Sequence, residues 1–187
     1  ELGEVTPDHD CWIIFTSGST GKPKGVAVTH RSAAAFVDAE ARLFCQDNPL
    51  GPDDRVLAGL SVAFDASCEE MWLAWRYGAT LVAAPRDTVR SADALGRWIT
   101  DHDITAISTV PTLASFWSTK SLEKIRLLIF GGEALPQELI NRLAAPDREL
   151  WNTYGPTEAT VICSGHRMVP IDDDMPVRIG RPTPGWQ

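Results

Sequence analysis

The chain has 187 residues, of which 44% are apolar and 22% charged, a composition that fits one ordinary globular domain and excludes global disorder. Its formal net charge of −8 argues against nucleic acid or an anionic membrane as a non-specific partner, while leaving room for a local phosphate site. No apolar run reaches the ~18 residues of a membrane span, and no signal-peptide pattern is present. Cys11, Cys45, Cys68 and Cys163 form no C-x-x-C pair and fit no zinc spacing. Reduced thiols in a cytoplasmic protein are therefore expected. The chain opens at Glu1 and stops at Trp186-Gln187, so residues 1–187 read as the central fragment of a longer polypeptide, cut at both ends.

In chain order, Cys11 to Phe15 reads as a buried strand. A polar loop follows, and Val26 to Thr29 can serve as a returning strand. The pattern predicts a helix over 31–46, with Phe36, Ala39 and Leu43 on one side. Gln46 to Asp54 is a turn-rich loop. Arg55 to Leu60 reads as a strand. A helix after Ser67 carries Met71, Trp72 and Trp75, and Thr80 to Ala84 is the next strand. A helix from about Ser91 carries Leu95, Trp98 and Ile99. Ile104 to Ser108 and Arg126 to Phe130 are apolar strands, a helix after Pro136 carries Leu139, Ile140 and Leu143, and Glu149 to Asn152 is a further strand. Pro170 to Pro176 is an acidic loop. Trp12, Trp72, Trp75 and Trp98 fall on apolar faces and are expected in the core. Apolar strands alternating with helices imply an α/β fold, a mostly parallel sheet flanked by helices. Ligands bind such sheets beyond the carboxyl ends of the strands.

The segment Thr16 to Gly25 reads TSGSTGKPKG. Glycines let backbone amides approach a ligand, successive amides and hydroxyls form an anion nest, and Lys22 and Lys24 add positive charge. A flexible polar hairpin loop would have the same composition. The segment is not a P-loop of the NTPase type, because Gly18 to Gly21 is too short and Pro23 stands where a hydroxyl should hold Mg²⁺. Downstream, Gly131-Gly132 follows an apolar strand, where a tight turn would also want glycine. In Tyr154 to Glu158, Pro156 suits a helix start and Glu158 its dipole. Phe64 to Ser67 (FDAS) precedes a helix, where Ser67-x-x-Glu70 fits a capping box and Asp65 an alternative cap.

Taken together, TSGSTGKPKG, Phe64 to Ser67, Gly131-Gly132-Glu133-Ala134 and Asn152 to Glu158 (NTYGPTE) resemble, in order, motifs of the adenylate-forming superfamily of acyl-CoA ligases, luciferases and adenylation domains of nonribosomal peptide synthetases. The resemblance continues to Ile179 to Gly185 and covers essentially the whole chain, implying a subdomain of the large N-terminal core of such an enzyme. It implies that Thr16, Ser17, Gly18, Ser19, Thr20, Gly21 and Lys24 hold the β- and γ-phosphates of ATP. It places Gly131, Gly132, Glu133, Asn152, Tyr154 and Gly155 around the nucleotide, with Tyr154 on the adenine face. Thr157 would lie near the α-phosphate and Glu158 on Mg²⁺, so Lys24, Thr157 and Glu158 carry the chemistry. Phosphoryl chemistry of this kind rests on positioning and charge neutralisation, so no nucleophilic Ser or Cys is required.

The resemblance implies activation of an amino acid as its adenylate, followed by loading onto the phosphopantetheine thiol of a partner carrier domain. The family's ribose-binding aspartate, hinge and C-terminal lysine are expected beyond Gln187, so the isolated fragment is expected to be inactive. Acyl-CoA ligase activity and a non-catalytic nucleotide-binding module remain alternatives, and Asp65, as the partner of an α-ammonium, favours amino-acid activation. The family's side-chain pocket aligns with Asp65, Ala66, Glu69, Ser108, Leu128, Phe130, Thr153, Val161 and Ile162, beside Phe64. Glu69 is then the only acid other than Asp65 in an apolar pocket. A buried carboxylate is costly unless paired, so a basic amino acid is expected, lysine first, with its stem packed on Phe130. Glu69 in solvent at a helix start is the competing reading.

Overall fold

A computed structural model describes residues 3–18, 21–170 and 176–186. The expected phosphate-site residues Ser19 and Thr20 lie outside the described residues.

The first two strands, β1 (Asp10–Thr16) and β2 (Lys24–Thr29), form an antiparallel hairpin separate from the main sheet. Ile14 and Val28 are buried, whereas Ile13 and Phe15 are 53% and 70% exposed. The expectation of a buried strand over Cys11 to Phe15 is thus corrected: the strand exists, but only one face is covered. A short continuous apolar run does not reveal whether one face or both are covered.

Helix α1 (His30–Ala41) starts at Thr29, whose hydroxyl accepts from the Ser32 amide. It ends well before residue 46, because the Gln46 side-chain amide bonds the carbonyls of Ala41 and Phe44 and Cys45 takes a positive φ of 51°. Both features terminate a helix. There follow β3 (Arg55–Ala58), α2 (Ala66–Trp75), β4 (Thr80–Ala83), α3 (Arg86–Val89), α4 (Ala92–Asp101), β5 (Ala106–Thr109), α5 (Pro111–Ala114), β6 (Leu127–Phe130), α6 (Gln137–Leu143), β7 (Glu149–Tyr154), β8 (Ser164–Met168) and β9 (Arg181–Pro182).

These strands make a seven-stranded sheet in the order β4-β3-β5-β6-β7-β8-β9. The pairs from β4 through β7 are parallel; those of β8 with β7 and β9 are antiparallel. Each apolar strand serves two cores by alternation. Leu57, Ile107, Leu128, Phe130 and Leu150 pack with α4, α5 and α6 on one face. Val56, Ala106, Leu127, Ile129 and Trp151 pack with α1 and α2 on the other. Burial of each Val, Leu, Ile or Phe side chain among them contributes about 1.5–3 kcal/mol. The four helices predicted from periodicity are present as α1, α2, α4 and α6. Trp12, Trp72 and Trp98 pack against these cores, but Trp75 is 53% exposed and only meets Trp72 edge-on.

The capping box at Ser67 and Glu70 does not form. Asp65 occupies the cap position of α2 without a side-chain cap bond. Glu70 turns away, and its carboxylate accepts from the amides of Gly59 and Leu60 after β3. Closing the loop behind β3 satisfies two amides, which outcompetes a local cap.

Candidate active site

From β3 the chain crosses out to β4 at the sheet edge, then returns to β5 on the other side of β3. This reversal opens a crevice at the carboxyl ends of β3 and β5, where ligands bind open α/β sheets. A cavity of about 190 Å³ lies there. Its walls are Leu60 after β3, Ser108 and Thr109 at the end of β5, Gly131 and Gly132 after β6, and Thr153 and Gly155 at β7. The start of α2 closes one side with Phe64, Asp65, Ala66 and Glu69, and Val161 and Ile162 close another.

Eight of the ten residues expected around a side-chain pocket therefore line one cavity: Phe64, Asp65, Ala66, Glu69, Ser108, Thr153, Val161 and Ile162. Leu128 and Phe130 do not, and this corrects the reading that put them there. β6 pairs Ser108 with Ile129, so Ser108 and Ile129 share a face while Leu128 and Phe130 point into the opposite core. Both are completely buried.

Glu69 is 2% exposed, and the Ser108 hydroxyl donates to its Oε2. Burial pushes the Glu69 carboxyl up, while contacts with Glu40 and Ser108 favour its ionised form. It is not in solvent at the helix start. No ion pair among the described residues involves Glu69 or Asp65. Asp65 is 5% exposed, and its Oδ2 is buried with no hydrogen-bond donor. Burial raises its carboxyl as well, offset by the Thr157 side chain and nearby amides.

A second cavity of about 600 Å³ adjoins the first, with Gly132, Thr153 and Gly155 common to both. It is lined further by Glu133, Ala134, Leu135, Asn152, Tyr154, Val177 and Ile179. Glycine is required between the cavities. A Cβ on Gly131 would lie 2.9 Å from Thr153 Oγ1, and Gly132 has φ +75°. Tyr154 is half exposed and offers its ring to the second cavity. Asn152 is buried, and its amide donates to the Arg178 carbonyl, holding the segment that brings Val177 and Ile179 to the wall. The Glu133 carboxylate accepts from the Thr112 amide at 3.0 Å.

The glycine-rich loop is the turn of the β1–β2 hairpin. Thr16 pairs with Lys24, the Gly21 amide donates to the Gly18 carbonyl at 2.9 Å, and a Cβ on Gly18 would lie 2.1 Å from the Lys22 carbonyl oxygen. None of its described residues lines either cavity, but β2 packs against the short 3₁₀ turn Thr157–Ala159. That turn carries Thr157, which lines the first cavity, and Glu158, which is exposed and near enough to Asp65 to raise its carboxyl. Three residues make little macrodipole, which weakens the reading of Glu158 as a helix-start acid. Thr160 and Val161 follow with φ of 59° and 69°. For a β-branched residue this is strained backbone, and it turns Val161 into the cavity wall.

Sequence reasoning misses Leu60, Thr109, Val177 and the buried acid Glu40, and reaches Ile179 only as the start of the resembling segment Ile179 to Gly185, with no role attached. Thr109 is signalled by its place at the end of a parallel strand. The others depend on crossing chain segments that have no local signature.

The AMP-binding enzyme family matches residues 2–187. The chain is 38% identical over 185 residues to the delta-poly-L-ornithine synthetase of Acinetobacter baumannii (strain AB307-0294), covering 99% of this chain and 13% of that protein. It is 42% identical over 159 residues to a dimodular nonribosomal peptide synthase of Bacillus subtilis (strain 168), covering 84% of this chain and 6% of that protein. Among solved structures, the Vibrio cholerae adenylation domain AlmE in complex with glycyl-adenosine-5'-phosphate superposes with a TM-score of 0.85 at 31% identity, over 95% of this chain and 34% of that one. The AMPPNP-bound nonribosomal peptide synthetase FmoA3 (S1046A) superposes with a TM-score of 0.82 at 28% identity, over 95% and 19%. The α/β architecture is that of these adenylation structures. The chain thus spans only a small part of the relatives it matches, and across that span it belongs to the AMP-binding enzyme family, as adenylation-domain sequence of the nonribosomal peptide synthetase type.

Proposed function

We propose that the full-length protein carrying this chain activates a basic amino acid, lysine or ornithine, as its aminoacyl-adenylate and passes it to a phosphopantetheine thiol on a carrier domain. The carrying observation is Glu69, a buried carboxylate at a cavity wall with a hydroxyl donor from Ser108 and no cationic partner among the described residues. A substrate ammonium is the partner that such a carboxylate lacks. Asp65, with its unpartnered Oδ2, takes the α-ammonium. The aliphatic stem packs on Val161, Ile162 and Leu60, since Phe130 faces elsewhere. A relative named for poly-L-ornithine synthesis supports a diamino acid.

The adjoining cavity takes the nucleotide, with Tyr154 against the base and the Gly131-Gly132 backbone close to it. The substrate carboxylate, held between the cavities near Thr157, attacks the α-phosphorus and expels pyrophosphate, which the loop from Thr16 to Lys24 stabilises. Glu158 fits Mg²⁺, because it is exposed and the ion keeps waters and phosphate oxygens in its shell. Among the described residues no three or more His, Cys, Asp or Glu side chains cluster as a metal cage. When bound, the ion neutralises charge on the phosphates. Four free cysteines suit a reducing, cytoplasmic setting, and no helix among the described residues is long and apolar enough to cross a membrane.

The deciding experiment is amino-acid-dependent ATP–pyrophosphate exchange with the full-length protein, comparing lysine, ornithine, leucine and glutamate. Glu69→Gln is expected to lower exchange with the basic substrates about 10- to 100-fold, the equivalent of about 1.5–3 kcal/mol for a charged hydrogen bond. A wild-type preference for neutral or acidic amino acids overturns the basic reading. Stimulation by carboxylic acids lacking an α-amine points instead to an acyl-CoA ligase.

A further inference from the structure

A second acid stands behind Glu69. Glu40 on α1 is 3% exposed, and its carboxyl lies beside that of Glu69 on α2, within reach of a shared proton. Oε1 of Glu40 and Oε1 of Glu69 are both buried, and neither has an amide, hydroxyl or cationic donor. Two ionised carboxylates cannot share such a contact without strong repulsion, whereas a single proton between them relieves it and satisfies both oxygens. The Ser108 hydroxyl donates to Glu69 and favours its ionised form, whereas the buried Oε1 of Glu40 has no donor and burial pushes that carboxyl up, so Glu40 is the member that keeps the proton. The other acids facing the pair are Asp65 and Glu70, both on the α2 side. Arg76 and Tyr77 border Glu40, but Arg76 is paired with Asp38 at 2.9 Å.

We propose that Glu40 is a positioning residue for amino-acid specificity: as a neutral acid it donates a hydrogen bond to Glu69, pins that carboxylate toward the cavity and limits the pair to a single negative charge, matched to one substrate cation. This rests on the reading of Glu69 as partner of the side-chain ammonium. With Ser108 on one oxygen and Glu40 on the other, Glu69 is ionised and oriented before substrate arrives, so little ordering remains to be done on binding.

The test uses Glu40→Gln and Glu40→Leu in the full-length protein. The amide of Gln still donates to Glu69, so exchange with lysine and ornithine is expected within about threefold of wild type, on the fold-change scale used for mutant kinetics. Leu removes the donor. It is expected to lower kcat/KM for diamino acids at least about tenfold and to move the acid limb of the pH profile upward, because Glu69 then ionises less readily. Activity toward leucine should not fall in parallel, since no charge on that side chain needs Glu69 ionised. Equal losses for all amino acids, or no loss with Leu, overturn the proposal. An infrared band of a protonated carboxyl that is lost in Glu40→Gln and persists in Glu70→Gln reports the shared proton without any substrate. A wild type that favours neutral amino acids overturns the reading of Glu69, and the specificity role with it. In that case the band alone decides whether Glu40 holds the proton, and its absence overturns the pairing too.

Discussion

Gly155 lies so close beneath Val161 that a Cβ on it would sit 2.4 Å from the Val161 carbonyl oxygen and 2.5 Å from Ile162 Cα. Both neighbours are backbone and cannot swing aside, and both belong to cavity-wall residues already held in strained or buried geometry. Gly155→Ala is therefore expected to cost about 1–3 kcal/mol of stability and to reduce ATP–pyrophosphate exchange together with it. Chemical denaturation and exchange assays measure the two. A variant with wild-type values for both would show that the turn yields without moving the wall.

Much of this site is legible in the sequence through the resemblance to adenylation-domain motifs, which assigns Ser108 and Thr153 to the pocket. Both, like Gly131, fall at the carboxyl end of an apolar run, and parallel pairing brings such ends together. Phe64 to Glu69 are found because a motif precedes a helical pattern. What the sequence hides is the direction of side chains. Leu128 and Phe130 look like pocket walls only until pairing with β5 fixes which way β6 alternates. Glu70 has the spacing of a cap, yet the loop amides of Gly59 and Leu60, adjacent only in the fold, claim it. Glu40 reads as one acid in a mixed helix, and its burial depends on how α1 lies against α2. β8 and β9 escape because SGHRM and a two-residue strand carry no apolar alternation.

Glu158 tests the metal reading. With Glu158→Gln, half-maximal exchange is expected to require several-fold more Mg²⁺, with thermal stability unchanged, since the three-residue turn it occupies gains little from an acid. A lower melting temperature with unchanged magnesium dependence would return Glu158 to a structural role.

Glu70 predicts a pH dependence of stability. Burial raises its carboxyl from 4.5 to about 8, against the opposing amides of Gly59 and Leu60. A carboxyl raised by folding binds its proton more tightly in the folded state than in the unfolded state. Its contribution is therefore full below pH 4.5, declines as pH rises and is exhausted above about 8, with a slope of at most about 1.4 kcal/mol per pH unit. Glu70→Gln should flatten the wild-type decline between these limits. Unfolding curves across this range check it, and parallel curves for both proteins would count against the raised carboxyl.

Phe130 separates packing from recognition. Phe130→Ala is expected to destabilise the fold by about 3–5 kcal/mol and to leave the order of preferred amino acids as it is in wild type. Denaturation and substrate profiling measure each part. A changed order with intact stability would place Phe130 in the pocket after all.

Because β6 sends Leu127 and Ile129 to one side of the sheet and Leu128 and Phe130 to the other, the sheet acts as a partition. The side chain of Val161 packs into one core and those of Phe130 and Leu150 into the other, and substitutions in separate cores are expected to combine close to additively. A chain laid out in this way can drift in what it recognises while repairing its stability from the far side, one residue at a time.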